Sequence, residues 1–261
     1  MSTPIASIRI DVDPTNPGQF FACCGLLELA ARLTPDAEGW FEGREFCITR
    51  SETLDTLMSA ISKAELVQLD SSDVTASPIH ISPPFDLRLD WWKSDNPAFA
   101  GLKVWAGTME SFRIARAMQY ALRVGSFQSA DLLNIGVIAY DPDDLTKKVE
   151  PFYFDARRGP NAHSRDVGFS PNDLGMTTTA SPAVEFLCLI GLQRCRPQPN
   201  EHSRIYDYYF WPQRIPPLLM PAAILGLLPN PTGYRFESWY RTGQKKHKAF
   251  LTAKPILDHH E

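Results

Sequence analysis

Apolar and polar residues alternate along Ser7-Ile-Arg-Ile-Asp-Val, the two-residue period of a half-buried strand, and Asp13-Pro-Thr-Asn-Pro-Gly then forces a turn. The pattern changes directly afterwards. From Gln19 to Leu33 apolar side chains occupy nearly every side of a helical wheel, with Asn16 placed to cap the helix and Pro17 at its first position. A helix that is apolar all round is expected to be buried. Glu45 to Arg50 reads as a strand, and Ser51 as the cap of an amphipathic helix whose core face is Leu54, Leu57, Met58, Ile61 and Leu66. Asp70 to Ser77 is a Ser/Asp-rich loop, Phe85 to Trp91 another alternating strand, and a further helix is expected from about Met109 to Val124.

The carboxy-terminal part is patterned less evenly. A short apolar strand is expected near Asn134 to Tyr140, followed by the turn at Asp141. Ala156 to Thr179 holds too many Gly, Asn, Asp and Ser residues for regular structure, and a loop of that length in a compact domain is usually functional or mobile. Ser181-Pro182 then opens another mostly apolar helix running to Leu192. Ser203 to Trp211 is a Tyr-rich strand, Leu218 to Leu228 a short helix, and Gly233 to Tyr240 with His247 to Ala253 a terminal hairpin turning at Thr242-Gly-Gln. Taken together the elements predict an α+β fold, with helices packed on antiparallel sheet. One elaborated domain over 1–261 is expected. The helices at Gln19 and Pro182 raise the alternative of two ferredoxin-like halves, 1–150 and 151–261.

Charge changes this picture in one respect. The net charge of −4 conceals an asymmetry: residues 1–100 carry 7 basic and 15 acidic side chains, residues 101–261 carry 19 basic and 15 acidic. A polyanion would prefer the second region, above all Tyr234 to Lys254, where six Lys/Arg face one Glu. The apolar runs are too short and too interrupted by charge for a membrane span, and the amino terminus lacks the pattern of a secretory signal, so a cytoplasmic location without membrane contact is expected. The odd set Cys23, Cys24, Cys47, Cys188 and Cys195 sits mostly in apolar runs and reads as reduced core thiols, without the spacing of a metal site.

Three segments carry candidate chemistry. Arg157, Arg158, His163 and Arg165 crowd one Gly-containing stretch, where guanidinium forks could grip phosphates; the plain alternative is a solvated loop. Trp91, Trp92 and Trp105 with Lys103 could stack bases, although tryptophans at a strand end are more often core or subunit interface. Arg235, Arg241, Lys245, Lys246 and Lys248 interleave with aromatics, so a hairpin would present one aromatic and one basic face. The sequence holds no Gly-rich nucleotide loop, nuclease carboxylate cluster or His-Asp metal pair, which argues against an ATP-driven or metal-dependent nuclease. No cofactor or small-molecule substrate is expected.

The order of several motifs resembles a known family. Asn16-Pro-Gly-Gln-Phe-Phe-Ala-Cys-Cys-Gly-Leu-Leu-Glu-Leu, Asp90-Trp-Trp, Leu102-Lys-Val-Trp-Ala-Gly, Phe154-Asp-Ala-Arg-Arg, Asp166-Val-Gly-Phe-Ser-Pro and Pro182-Ala-Val-Glu-Phe-Leu-Cys-Leu-Ile-Gly-Leu-Gln-Arg-Cys-Arg-Pro occur collinearly between residues 16 and 197. In this order they resemble the small b-series RAMP-like protein family encoded beside subtype I-G (formerly I-U) CRISPR effectors. The resemblance implies an RRM-like or ferredoxin-like fold and a non-catalytic subunit that holds guide RNA or target DNA together with other effector subunits. Two alternatives stay open beside it: a metal-independent repeat-RNA endoribonuclease using His163 or His247 as general acid or base, and a structural adaptor between effector subunits.

Overall fold

The computed structural model describes residues 5–96, 99–125, 131–158, 178–200, 204–241 and 247–257. It is an α+β protein with antiparallel sheets. β1 (Ile8–Asp11), β2 (Glu38–Glu42) and β3 (Glu45–Thr49) form one sheet with β3 in the middle, antiparallel to both neighbours. Helix α1 (Pro17–Leu33) connects β1 to β2, so these two parallel strands flank β3 as a split β-α-β unit. A second sheet has β10 (Thr232–Tyr240) at its centre, with β9 (Ile205–Phe210) on one side and β11 (Lys248–Phe250) and β12 (Lys254–Pro255) on the other. The two sheets are joined through the backbone: Phe41 N donates to Trp211 O, and Gly39 and Ile215 exchange hydrogen bonds.

Helix α1 lies on the inner surface of both sheets. Phe20 stacks on Phe41 of β2 and meets Tyr208 and Phe210 of β9, while Phe21 meets Phe236 of β10. Its other side packs along α4 (Pro182–Arg194), which is as apolar all round as α1 and equally buried. Backbone contact makes this crossing unusually close. A Cβ on Gly25 would lie 2.0 Å from the Leu187 carbonyl oxygen, and a Cβ on Gly191 would lie 2.0 Å from that of Phe21. Outside this pair, α3 (Ser111–Val124) packs on α4 and on α2 (Leu54–Lys63). A small sheet of β4 (Leu66–Gln68), β5 (Ile79–Ile81) and β6 (Leu87–Leu89) and the hairpin β7 (Ala139–Asp141) and β8 (Asp144–Val149) complete the regular elements before α4. Among the described residues no helix is long and apolar enough to cross a membrane.

Several expectations change in detail. Thr53, not Ser51, caps α2, accepting from Thr56 N, because the Ser51 hydroxyl is engaged with Ser7 across the sheet. Leu66 leaves the helix for β4, since Ala64 turns extended and its carbonyl is taken by the Gln119 amide. The helix expected over Leu218 to Leu228 shrinks to a 3-10 turn at Pro217–Leu219 and α5 (Met220–Ala223). Beyond its end Gly226, with a φ of +73°, turns the chain against the Tyr209 ring. Strands β2, β4, β5, β8 and β12 fall outside the strands the pattern predicts. Five cysteines are buried free thiols, and burial pushes Cys23, Cys24 and Cys188 well up.

The α1–α4 crossing leaves no room for a side chain. Gly25→Ala and Gly191→Ala should each destabilise the fold by roughly 1–3 kcal/mol or more, as overpacked cores do. Urea unfolding of the two variants, read as a fall in midpoint at unchanged slope, measures this.

Candidate nucleic-acid interface

The sequence-predicted residues fall into two groups with different environments. The first group is structural. Trp91 and Trp105 are 1% exposed and Trp92 8%, and their rings pack edge to face on one another. Their indole N–H groups donate to Leu189 O, Thr75 O and Ala76 O, respectively for Trp91, Trp105 and Trp92. Of the two readings open for these tryptophans, base-stacking platform or packed core, the rings take the second and form a core cluster. Arg241 is likewise buried, its guanidinium 3.5 Å from the Tyr153 ring centroid and its Nε donating to Lys248 O. Arg235 forms a two-point ion pair with Asp207 across β9 and β10, which uses its fork on a neighbour. His247 sits against Gly107. His163, Arg165, Lys245 and Lys246 lie outside the described residues.

Arg157 and Arg158 are fixed where α1 and α4 begin. The segment around Phe154 and Asp155 runs between the two helix starts: a Cβ on Gly18 would meet Phe154 O at 2.3 Å, and Glu185 in the first turn of α4 accepts from Phe154 N and Asp155 N. Asp155, fully buried, accepts from Asn16 Nδ2 and from Arg157 Nε at 2.9 Å and Nη2 at 2.7 Å. Arg157 continues to Leu133 O and Asn134, and Arg158 reaches Thr179 and Ser181. Burial alone would raise the Asp155 carboxyl, but Arg157, Ser181 and Asn16 hold it below the usual range. Among the described residues Glu185 forms no ion pair; burial and the Asp155 charge push it up to about 7 against the pull of the backbone N–H groups. The two arginines therefore act first as struts that tie Asp155 to the surrounding loops, rather than as free loop cations.

The second group gathers where the β9–β10–β11 sheet ends. The register Ile205↔Glu237 sets Arg204 beside Ser238, whose N–H donates to Arg204 O, and Tyr240↔Lys248 sets Lys248 on the adjoining strand. The segment 99–104 crosses this end, pinned by Ser238 Oγ to Gly101 O, Lys248 N to Val104 O and Lys248 Nζ to Ala100 O. It carries Lys103, 5.5 Å from the Trp105 ring centroid, and Phe99, over which Arg196 stacks at 5.1 Å. Arg204 lies 4.9 Å from the Trp239 and 5.0 Å from the Tyr240 ring centroid. Trp239 is 46% exposed.

Among the described residues, no carboxylate forms an ion pair with Lys103, Arg196, Arg204 or Lys248, and the buried Arg204 Nε has no hydrogen-bond partner. Their mutual repulsion is relieved only in part, by Asp73 near Lys103. Burial, then Arg204 and Lys103, push Lys248 down to about 8, and burial lowers Lys103 against the attraction of Asp73. Cations stacked on aromatic rings, next to a half-exposed indole, suit a phosphate and base of a single strand. Lys103 and Lys248 were nominated from sequence. Arg196 and Arg204 were not, because their neighbours come from 99–104 and β10, far along the chain. No group of three or more His, Cys, Asp and Glu that could hold a metal occurs among the described residues. Compared with known proteins, the chain matches no family model, no curated protein and no solved structure.

Glu185 generates a pH-dependent stability with a definite sign. Its folded pKa is raised above the ordinary 4.5 to about 7, so the folded chain holds the extra proton between those values and stability falls as pH rises through that window. Glu185→Gln, which keeps an acceptor for the backbone N–H groups, should flatten the urea midpoint between pH 4.5 and 7. A slope unchanged in the variant would show that Glu185 does not titrate there.

Proposed function

We propose that this chain is a non-catalytic nucleic-acid-binding subunit of a subtype I-G CRISPR interference complex, holding guide RNA or target DNA beside other effector subunits in the cytoplasm. The observation that carries the binding half of this reading is the set of cations without a carboxylate ion pair at the sheet end: Arg204 on the Trp239 and Tyr240 rings, Lys248 paired with Tyr240 in the adjoining strand, and Lys103 and Arg196 at the crossing segment 99–104. Clustered cations without ion-pair partners gain most from an incoming phosphate, because the ligand removes repulsion as well as adding attraction. An exposed indole beside them gives a base a stacking face, a contact that contributes on the order of 1–3 kcal/mol. The CRISPR half rests on the collinear motifs of residues 16–197.

The fold reading belongs to the same proposal. The split unit β1–α1–β2 with β3 between its strands corresponds to the first half of an RRM/ferredoxin-like module of the RAMP type. A complete module would return a fourth strand to β1. Here β4 pairs with β5 instead, so the chain departs from that pattern after α2.

The test uses the purified chain with labelled single-stranded RNA and DNA, titrated at several salt concentrations. Affinity should fall steeply with salt, by about 0.7 logarithmic units per phosphate contact for each tenfold rise. Combined Lys103→Ala, Arg204→Ala and Lys248→Ala should reduce that slope, whereas Arg235→Ala, already spent on Asp207, should leave it nearly unchanged. Binding should also weaken as pH rises through about 8, where Lys248 loses its proton. No salt-sensitive association with either strand would sink the nucleic-acid reading. Co-purification with neighbouring gene products, and sequencing of the RNA that co-elutes, tests the effector assignment.

A further inference from the structure

A second cationic site lies away from the sheet end, on the solvent side of α3. Arg116, Tyr120 and Arg123 follow at spacings of four and three residues, which places them along one helix face. With Ser62, Gln119 and Pro142 they line a polar-walled cleft of about 120 Å³ that opens to solvent. Its walls are fixed: the Gln119 amide donates to both Ile61 O and Ala64 O, locking the end of α2 against α3. Arg116 donates from Nη1 and Nη2 to the two carboxylate oxygens of Asp143, and leans on the Phe112 ring. Further along the same helix face, Arg123 and the Tyr120 hydroxyl have no hydrogen-bond or ion-pair partner among the described residues. Asp143 is taken up by Arg116 and Asp141 by Arg113, so Arg123 keeps a free fork and Tyr120 a free hydroxyl at a preformed concavity.

We propose that this cleft is a phosphoryl-binding site, in which Arg123 supplies two parallel N–H donors, Tyr120 a hydroxyl donor, and Arg116 the second positive wall. Arg forks match phosphate oxygens in geometry, and charge-assisted bonds of this kind are about twice as strong as neutral ones. Arg123 stands in the last turn of α3, where its charge also offsets the negative helix end that would otherwise repel an anion. The same chemistry is presented by free phosphate, by a nucleotide monophosphate and by a strand backbone. The site stands on its own residues and does not depend on the cluster at the sheet end.

The probes are inorganic phosphate and a short single-stranded oligonucleotide, each titrated calorimetrically into the whole chain at low salt. Wild type should bind phosphate, Arg123→Ala should weaken it about tenfold, the loss of roughly 1.4 kcal/mol of charge-assisted bonding, and Tyr120→Phe should weaken it less. Arg123→Lys, which keeps the charge but loses the fork, should fall between wild type and Arg123→Ala. Both positions are solvent-facing, and an unchanged urea midpoint confirms that the variants fold. Stronger oligonucleotide than phosphate binding that is lost with Arg123→Ala identifies a strand backbone as the ligand; equal or weaker binding identifies a small phosphate. Phosphate binding that is absent from wild type, or unaffected by both Arg123→Ala and Tyr120→Phe, overturns the proposal. Variants at Lys103, Arg204 and Lys248 should leave phosphate binding at this cleft intact, so the failure of one site is read separately from the other.

Discussion

The backbone-to-backbone crossing of α1 and α4 at Gly25 and Gly191 is the constraint on which the remaining structure depends. Two helices that touch through their main chains expose almost no surface to each other's side chains at that point, so each must bury its remaining faces elsewhere. Helix α1 does this on the two joined sheets, and α4 on α3 and the small β4–β5–β6 sheet. Both helices are therefore apolar all round, and neither has a face on which to place polar residues. Their polar obligations move to their ends.

Those ends show the consequence. The two helices run in the same direction, so their first turns meet around Phe154 and Asp155, and their later turns meet at Glu28 and Arg194. At the first meeting place, buried N–H groups and carboxylates have to be matched inside the core, and Asn16, Asp155, Arg157, Ser181 and Glu185 do so. At the second, burial would raise Glu28, but Arg194 and Arg32 hold it low. A buried charge pair gains little net stability against an apolar replacement, yet losing one partner is severe. The arginines nearest the helix starts are consequently committed to structure.

Cations free for a ligand are found where the chain does not need them for folding. At the sheet end, segment 99–104 brings Lys103 over strands whose own ends supply Arg204 and Lys248, and these charges are left facing one another. On α3, Arg123 similarly lies beyond the reach of the aspartates that brace Arg113 and Arg116. Surface repulsion of this kind costs stability and is tolerated at sites that meet an anion. The aromatic side chains divide on the same principle. Trp91, Trp92 and Trp105 fill the core, while Trp239 remains half exposed beside Arg204.

By itself the sequence determined the local elements whose signals are short-ranged. Asn16 and Pro17 mark the start of α1, the all-round apolar character of α1 and α4 marks them as buried, and the alternation in β9 and β10 marks a sheet with one apolar face. The α+β antiparallel class follows from such patterns. Short strands such as β4 and β5 escaped because three residues carry too little periodicity, and Ser51 was misassigned because its hydroxyl has a partner 44 residues away. The site was legible only in composition. Charge density pointed to the carboxy-terminal region, but whether Arg241 or Lys248 faces solvent depends on strand register, and whether a tryptophan stacks a base or a neighbour depends on what covers it. Tertiary structure decided both, since long-range packing and pairing, not the residue type, set which charges find a counter-ion and which do not.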